Sequence, residues 1–467
     1  MVEKMLPFKK NDTFSLKIEA MGSDGMGIGR HEGVAIFVPL TAVGDEIEVK
    51  IVKLQKNFAF GIISKMLYES KERVPVDCPY FNQCGGCVYR HISPESENEI
   101  KAERVKDCIE RIGGFSFSDN SIEFEGIEGG TRYNYRNKAQ IPLGLDKNNK
   151  LVMGYYAKHS HRIVDNKKCL LHPEIFNSVI DLFRDWYEQY GDSVYNEETH
   201  KGVLRHLYLR EGEKTGDILF CLVINGDKVK NLDKLAGMLK MNIPEVKSFV
   251  LNINKEKTNV ILGTKERIIF GEEHIKDILC GRVFNISPLS FYQVNRKQAE
   301  KLYNKAKEYA DLKENETLLD LYCGAGTIGL SLINETNKLI GVEIIPDAIE
   351  NAKKNAKENG IENAEFICGD AADAAKILSD RGEKPDVIIV DPPRKGLDSA
   401  LIETISKMSP KRVVYVSCDP ATLGRDLKIF SEKGYLTKKV KAFDLFPGTS
   451  HVETVCLLIN TLSSQEE

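Results

Sequence analysis

Residues 317–330, TLLDLYCGAGTIGL, decide the fold. An apolar run ends at Asp320-Leu321, glycines follow at 324 and 326, and an amphipathic stretch opens at Thr327. Glycines between a strand and a helix let the backbone turn sharply and bring a ligand close to the helix N-terminus. Outward from this point the same alternation repeats. KLIGVE, AEFICGD, DVIIVDPP, RVVYVSCD and VETVCLLIN read as strands, and stretches such as PDAIENAKKNAKENG carry helical spacing between them. Strands alternating with helices predict an α/β fold with a doubly wound, Rossmann-like parallel sheet from about residue 279 onward.

Toward the amino terminus the patterning changes twice. From Thr13 to about Met66, short alternating runs such as DEIEVKIVKL and FAFGIISKM are divided by glycine-rich turns, which predicts a small OB-like β-barrel. A mixed α+β stretch follows, with VLRHLYLREG and DILFCLVING strand-like. A helix is expected within it over residues 94–113, where Ile100, Val105, Cys108, Ile109 and Ile112 recur at helical spacing. Since 467 residues exceed what one core serves, three domains are expected, over residues 1–68, 69–275 and 276–467. The terminal LSSQEE is expected to lack structure.

A content of 42% hydrophobic and 29% charged residues belongs to an ordinary soluble protein. MVEKMLPFKK lacks the apolar core of a signal peptide, and no run approaches the roughly 18 apolar residues of a membrane span, so a cytoplasmic protein without membrane contact is expected. Eleven cysteines in that setting point to reduced thiols, metal ligands or a nucleophile. A net charge of −4 does not announce a nucleic-acid binder. Yet between Thr131 and Lys168 nine Lys/Arg, among them Arg132, Arg136 and Lys138, face two acids, with Tyr133, Tyr135, Tyr155 and Tyr156 interleaved. Such a stretch suits either single-stranded RNA or a solvated sheet face.

Chemistry concentrates at the predicted strand ends. Glu343 closes the strand after the glycine loop and can accept from two ribose hydroxyls; Gly369-Asp370 closes the next, where an acid can bond an adenine amino group. A dinucleotide would meet the same loop. Without a pyrophosphate to cradle, S-adenosylmethionine suits it better, given Asp391-Pro392-Pro393-Arg394 downstream. Ser417-Cys418-Asp419-Pro420 ends a further strand on the same rim as Asp391, and Glu453 enters the last apolar run just after His451. A thiol, a carboxylate base and an orienting acid in this order read as covalent methyl transfer to a pyrimidine carbon. Uracil C5 is too weak a nucleophile unaided, whereas a thiolate added to C6 makes it enolate-like, and a carboxylate then removes the C5 proton.

Cys78, Cys84 and Cys87, in CPYFNQCGGC, are close enough in sequence for three thiolates to converge, and Cys169 could supply a fourth. Four sulfur ligands suit zinc or an iron–sulfur cluster, and spacing alone does not choose. His159, His161 and His172 form no metal-ligand spacing.

ISPLSFYQVN, LDLYCGAGTIGL, GVE, DPPRKGL, VYVSCDPATLGRDL and FPGTSHVETV together resemble the successive motifs of the RNA uracil-C5 methyltransferases. YRNKAQIPLG, GVLRHLYLR and NVILG are similar to the family's central region, and GSDGMGIGRHEGVAIFVPLTAVGDEIEVKIV resembles the TRAM module. The resemblance implies a class I methyltransferase sheet behind a TRAM barrel, with Cys418 as nucleophile and Glu453 as base. Gln293, Tyr322, Thr327, Glu343 and Asp370 would surround S-adenosylmethionine, with Asp391 beside both cofactor and uracil. The cysteine pattern resembles the ribosomal RNA branch. It implies a 4Fe-4S cluster on Cys78, Cys84, Cys87 and Cys169, and 23S ribosomal RNA as the substrate of a monomeric enzyme. A cytosine-C5 enzyme is the alternative, although Pro393-Arg394 stands where such enzymes place a cysteine; a non-catalytic RNA-binding or assembly protein is the other.

Overall fold

The computed structural model describes residues 6–118, 121–334 and 337–461; the terminal LSSQEE lies outside them. The first six strands are β1 (Thr13–Lys17), β2 (Ala20–Met21), β3 (Gly27–His31), β4 (Val34–Val38), β5 (Glu46–Leu54) and β6 (Phe58–Tyr68). They hydrogen-bond in the order β1-β5-β6-β4-β3-β2. Alternation sets the inner face: Ile47, Val49 and Ile51 of β5 are buried with Ile36, Val38 and Ala59. Asp45, fully buried, fastens the turn before β5 to the chain beyond β6 by accepting from Arg73 Nε at 2.9 Å and Nη2 at 2.7 Å, and from the Ser70 amide at 3.0 Å. Burial raises its carboxyl, and these bonds outweigh that and hold it below the usual range.

Helix α1 (Pro94–Arg111) and strand β7 (Glu123–Glu128) come next, followed by β8 (Lys138–Leu145), β9 (Leu151–Tyr156), β10 (Ile163–Asp165), α2 (Glu174–Tyr190), β11 (Leu204–Glu211), β12 (Ile218–Ile224), α3 (Leu232–Asn242), β13 (Val246–Ile253) and β14 (Lys265–Phe270). A seven-stranded sheet has the order β10-β9-β8-β11-β12-β13-β14. Only β12 and β13 pair in parallel, linked through α3. Every residue of β12, ILFCLVI, is buried, as expected of a central strand covered on both faces.

The hairpin β15 (Ile275–Leu279) and β16 (Arg282–Ile286) leads through α4 (Arg296–Ala310) into the last sheet. Its parts are β17 (Thr317–Leu321), α5 (Thr327–Leu332), β18 (Lys338–Glu343), α6 (Pro346–Glu358), β19 (Ala364–Cys368), α7 (Ala371–Asp380), β20 (Val387–Val390), α8 (Ser399–Met408), β21 (Arg412–Ser417), α9 (Pro420–Glu432), β22 (Tyr435–Phe443) and β23 (Glu453–Asn460). The order is β19-β18-β17-β20-β21-β23-β22-β7. The five strands from β19 to β21 are parallel, as the alternation predicts, and β23 is antiparallel to both its neighbours. The chain winds one way from β17 to β19 and resumes on the other side at β20, so the crevice where ligands collect opens between β17 and β20.

Residues 94–128 precede the seven-stranded sheet in the chain, yet they are built into the last one. β7 extends its edge in parallel with β22, and α1 packs Val105 and Ile109 into the core beneath α9. One stripe of α1 buries Glu97, Lys101, Val105 and Ile109 together. Where α1 meets α9 the backbones nearly touch at Gly424: a Cβ there would come within 2.6 Å of the Cys108 carbonyl oxygen. No helix among the described residues is long and apolar enough to cross a membrane.

Backbone cannot yield to a methyl group as a flexible side chain can, so Gly424→Ala should destabilise the protein by about 1–3 kcal/mol. Calorimetric unfolding checks this, and an unshifted midpoint would mean that the α1–α9 contact is looser than the distances require.

Candidate active site

Above the carboxyl ends of β17, β18 and β20 lies a cavity of about 1680 Å³. Tyr322, Gly324, Glu343, Asp370, Asp391 and Gln293 line one part, Cys418, Glu453, His451 and Arg394 the middle, and Cys78, Cys84, Cys87 and Cys169 the far end.

The first part is shaped by backbone turning. Tyr322, Gly324 and Gly326 all have positive φ, at 69°, 55° and 78°, which folds the loop back over the end of β17. That return lets the Gly324 amide donate to Glu343 Oε2 at 3.1 Å, while the Ile345 amide donates to Oε1 at 3.0 Å. Two amides orient the carboxylate and leave other lone pairs free for ligand hydroxyls. Asp370 caps α7, accepting from the Ala372 amide at 2.9 Å. Ile344 and Ile345 are exposed beside Glu343, and Phe291 and Leu289 extend from the loop bearing Gln293, so apolar surface walls this part without a protein partner. Thr327 alone of the expected cofactor residues is not on the cavity wall. It opens α5 with its side chain buried and its hydroxyl 3.2 Å from the Tyr303 hydroxyl of α4.

Beneath the loop sits Asp320, to which the sequence pattern gives no role. One carboxyl oxygen accepts from the Gly329 amide at 2.9 Å, and the other is buried without a partner. Burial, with Asp391 and Glu343 nearby, pushes its carboxyl up to about 8. Asp391 keeps some surface open to the cavity, and burial pushes it up to about 7.

The β21–β23 ladder explains how residues far apart in sequence meet. Its last pair joins Ser417 to Thr454, so one step further Cys418 faces Glu453. Cys418 is half-buried. Desolvation, then the negative fields of Glu453 and Asp391, push its thiol up to about 12, against the pull of Arg394. Glu453 is buried, and desolvation followed by Asp391 raises its carboxyl well above the ordinary range, again opposed by Arg394. Nothing in the Asp-Pro-Pro-Arg motif by itself marks Arg394 as a charge on this pair; its place beside them does. His451 is exposed and edge-on to Phe446 at 5.9 Å; partial desolvation of its ring, then Arg394, lower its pKa.

At the far end the four cysteines share one wall, and Cys84, Cys87 and Cys169 are each raised in part by cysteine neighbours. Burial, joined by the charges of Cys169, Cys84 and Cys78 and opposed by Arg90, pushes the Cys87 thiol up to about 12. Burial with Cys84 and Cys78, opposed by hydrogen bonds from backbone amides, pushes Cys169 up to about 11. Thiols that raise one another's pKa are a donor set that a soft cation would relieve. Among the described residues, however, no three His, Cys, Asp or Glu side chains converge closely enough to hold a metal ion. The set fits a soft metal centre in its chemistry, and its present arrangement is more open than a single-ion site.

The basic stretch is not one RNA-facing surface. Arg132 is buried in ion pairs with Glu97, Tyr135 is buried with its hydroxyl donating to the Pro447 carbonyl at 3.1 Å, and the Tyr155 hydroxyl lies 2.7 Å from His172 Nε2. Tyr133 is exposed but donates to Asp77. Arg136 and Lys138 do line the cavity. Desolvation, then Arg210 and Arg136, lower the Lys138 ammonium to about 8.

A family model described as tRNA (Uracil-5-)-methyltransferase matches residues 239–461, and a TRAM domain model matches residues 7–63. An uncharacterized RNA methyltransferase of Clostridium tetani is 43% identical over 98% of both chains. Another, of Halalkalibacterium halodurans, is 41% identical over 98% of this chain and 99% of its own. Among solved structures, the Pyrococcus abyssi tRNA (uracil-54, C5)-methyltransferase in complex with S-adenosyl-L-homocysteine is 29% identical. It superimposes with a TM-score of 0.75 over 95% of this chain and 99% of that one. Full-length similarity of this degree, on a class I methyltransferase sheet with an amino-terminal TRAM domain, means that the chain belongs to the S-adenosylmethionine-dependent RNA uracil-C5 methyltransferase family.

Proposed function

We propose that this enzyme methylates C5 of a uridine in 23S ribosomal RNA through a covalent bond between Cys418 and uracil C6. The observation that carries the reading is the meeting of Cys418 with Glu453 across the β21–β23 ladder, on the rim where Asp391 also emerges. S-adenosylmethionine, when bound, supplies the electrophilic methyl group. Glu343, Asp370 and Gln293 would hold its polar groups, and Tyr322 lies beside them on the wall. Cys418 adds to C6 and makes C5 nucleophilic; after methylation Glu453 takes the C5 proton, and the Cys418–C6 bond breaks to release the product. Asp391, between the two regions, orients the ring and the donor. Burial raises both Cys418 and Glu453, and Arg394 opposes the rise, its field favouring thiolate and carboxylate alike.

The base must leave its stack to reach this rim. Arg136 and Lys138, along the cavity wall, suit the phosphates beside it. The ribosomal substrate is supported by the TRAM domain and by CPYFNQCGGC, which resembles the ribosomal RNA branch. A second reading, uridine 54 of transfer RNA, is favoured by the similarity to the Pyrococcus abyssi enzyme. Cys78, Cys84, Cys87 and Cys169 are the residues that would hold a 4Fe-4S cluster, since all four half-buried thiols line the same cavity.

RNA carrying 5-fluorouridine at the target has no C5 proton to lose and should trap a covalent complex, absent in Cys418→Ala. Glu453→Gln should form the adduct on natural RNA and lose turnover by roughly 10²–10⁴-fold. Methyl label should enter unmodified 23S ribosomal RNA and not transfer RNA; the reverse result moves the assignment to uridine 54.

The raised Cys418 pKa means that its thiolate fraction grows tenfold per pH unit far into the alkaline range. Alkylation of Cys418 in the free enzyme, followed by peptide mass, should keep accelerating beyond the point near pH 8.5 where an ordinary thiol levels off. Levelling there would show that burial does not hold this thiol neutral.

Protein purified without oxygen should be brown and contain iron and sulfide, and Cys87→Ser should lose both. Stoichiometric zinc without sulfide would overturn the cluster.

A further inference from the structure

The loop from Asp444 to Val452 joins β22 to β23 and delivers Glu453 to Cys418. Its backbone is strapped from four other parts of the molecule. The Leu445 carbonyl accepts from Asn295 Nδ2 at 3.0 Å, the Pro447 carbonyl from the Tyr135 hydroxyl at 3.1 Å, and the Ser450 carbonyl from Arg104 Nη1 at 2.9 Å. The Gly448 carbonyl accepts from two amides of the cysteine segment, Val88 at 2.7 Å and Tyr89 at 3.0 Å. The Gly448 amide donates to Glu97 Oε1 at 2.7 Å.

Behind Gly448 lies an enclosed ionic group. Glu97 and Lys101 are each 1% exposed, Asp444 2% and Arg132 8%. Lys101 Nζ donates to Glu97 Oε1 at 2.6 Å and to Asp444 Oδ1 at 2.7 Å, while Arg132 Nε donates to Glu97 Oε2 at 2.9 Å. Arg132 Nη1 also holds the Ile92 carbonyl at 2.6 Å. Two acids and two bases thus balance. Desolvating four charges is costly, and apolar residues of similar volume often serve stability as well or better. What the charges add is direction: the bonds from Lys101 to Asp444 and from Gly448 to Glu97 fix an angle between α1 and the loop that apolar contact would leave free.

We propose that Glu97, Lys101, Arg132 and Asp444, with the Tyr135 strap on Pro447 and the Val88–Tyr89 clamp on Gly448, are positioning residues for Glu453, setting it for C5 proton removal. The inference rests on the assignment of Glu453 as base. Thiol addition depends on Cys418, which rides on β21 and α9 and not on this loop, so the network governs product release more than adduct formation. The cysteine segment reaches the catalytic base through main-chain bonds to Gly448.

The test uses full-length enzyme and compares Glu97→Gln and Tyr135→Phe with Glu453→Gln and Cys418→Ala. Glu97→Gln removes the charge at the centre of the network; Tyr135→Phe removes only the hydroxyl that straps Pro447, and decides the question if Glu97→Gln fails to fold. Both positioning variants should form the covalent complex on 5-fluorouridine RNA at the wild-type rate and bind S-adenosyl-L-homocysteine unchanged. On natural RNA they should accumulate adduct, with release slowed by up to roughly 10²-fold, the scale of a displaced catalytic group. Release at the wild-type rate, or adduct formation and release falling in parallel with thermal stability, would overturn the proposal. Failure of Glu453→Gln itself to accumulate adduct would instead overturn the base assignment on which it rests.

Discussion

One reversal of strand direction organises the site. Parallel strands present their carboxyl ends on a single rim, which is why Asp320, Glu343 and Asp391 gather there from three separate strands. A strand running the other way presents its amino end on that rim. β23 is antiparallel to β21, and so Glu453 at its start meets Cys418 just past the end of β21. A parallel β23 would have put the two groups at opposite ends of the sheet, whatever their chemistry. The loop that permits the reversal must therefore be held as firmly as the sheet, and α1 supplies that hold by inserting Glu97 and Lys101 beneath it.

The rim is rich in acids and buries them, and this raises their pKa values. Burial raises Asp320 to about 8 and Asp391 to about 7, and the charges of Asp391 and Glu343 add to the burial of Asp320. Such a surface favours a cationic ligand, and a sulfonium methyl donor is one. It disfavours a second anion and raises the pKa of Cys418 and Glu453, a rise that a positive field opposes. Arg394 is placed to exert it, two residues after Pro392, as the chain leaves β20 beside Asp391.

The parallel sheet and the positions of Glu343, Asp370, Asp391 and Cys418 were legible in the sequence because a strand-end motif in an alternating fold has one place to be. The burial of Glu97 and Lys101 was not. Helical periodicity shows in apolar residues, and the buried stripe of α1 is half charged, its cost met by partners 35 and 343 residues away in Arg132 and Asp444. For the same reason Arg132 looks in sequence like an RNA-facing cation, although its guanidinium is spent internally. β7 is hidden by its acids: EFEGIE alternates, but the ion pairs that settle it as an edge strand come from Lys305 and Lys439, far along the chain. Thr327 lies on the expected element, and only the three-dimensional proximity of Tyr303 shows that its hydroxyl has a protein partner.

The size and charge of the cavity bear on how RNA approaches. About 1680 Å³ exceeds the roughly 300–1,000 Å³ of a typical small-molecule pocket, so cofactor and a nucleotide can share it. On the proposed reading a base swung out of its stack, being neutral, would enter while its phosphates stay by Arg136 and Lys138, neither of which has a carboxylate partner among the described residues. Lys138 is held down to about 8 by desolvation and its cationic neighbours, and an arriving phosphate would raise it again and strengthen the grip.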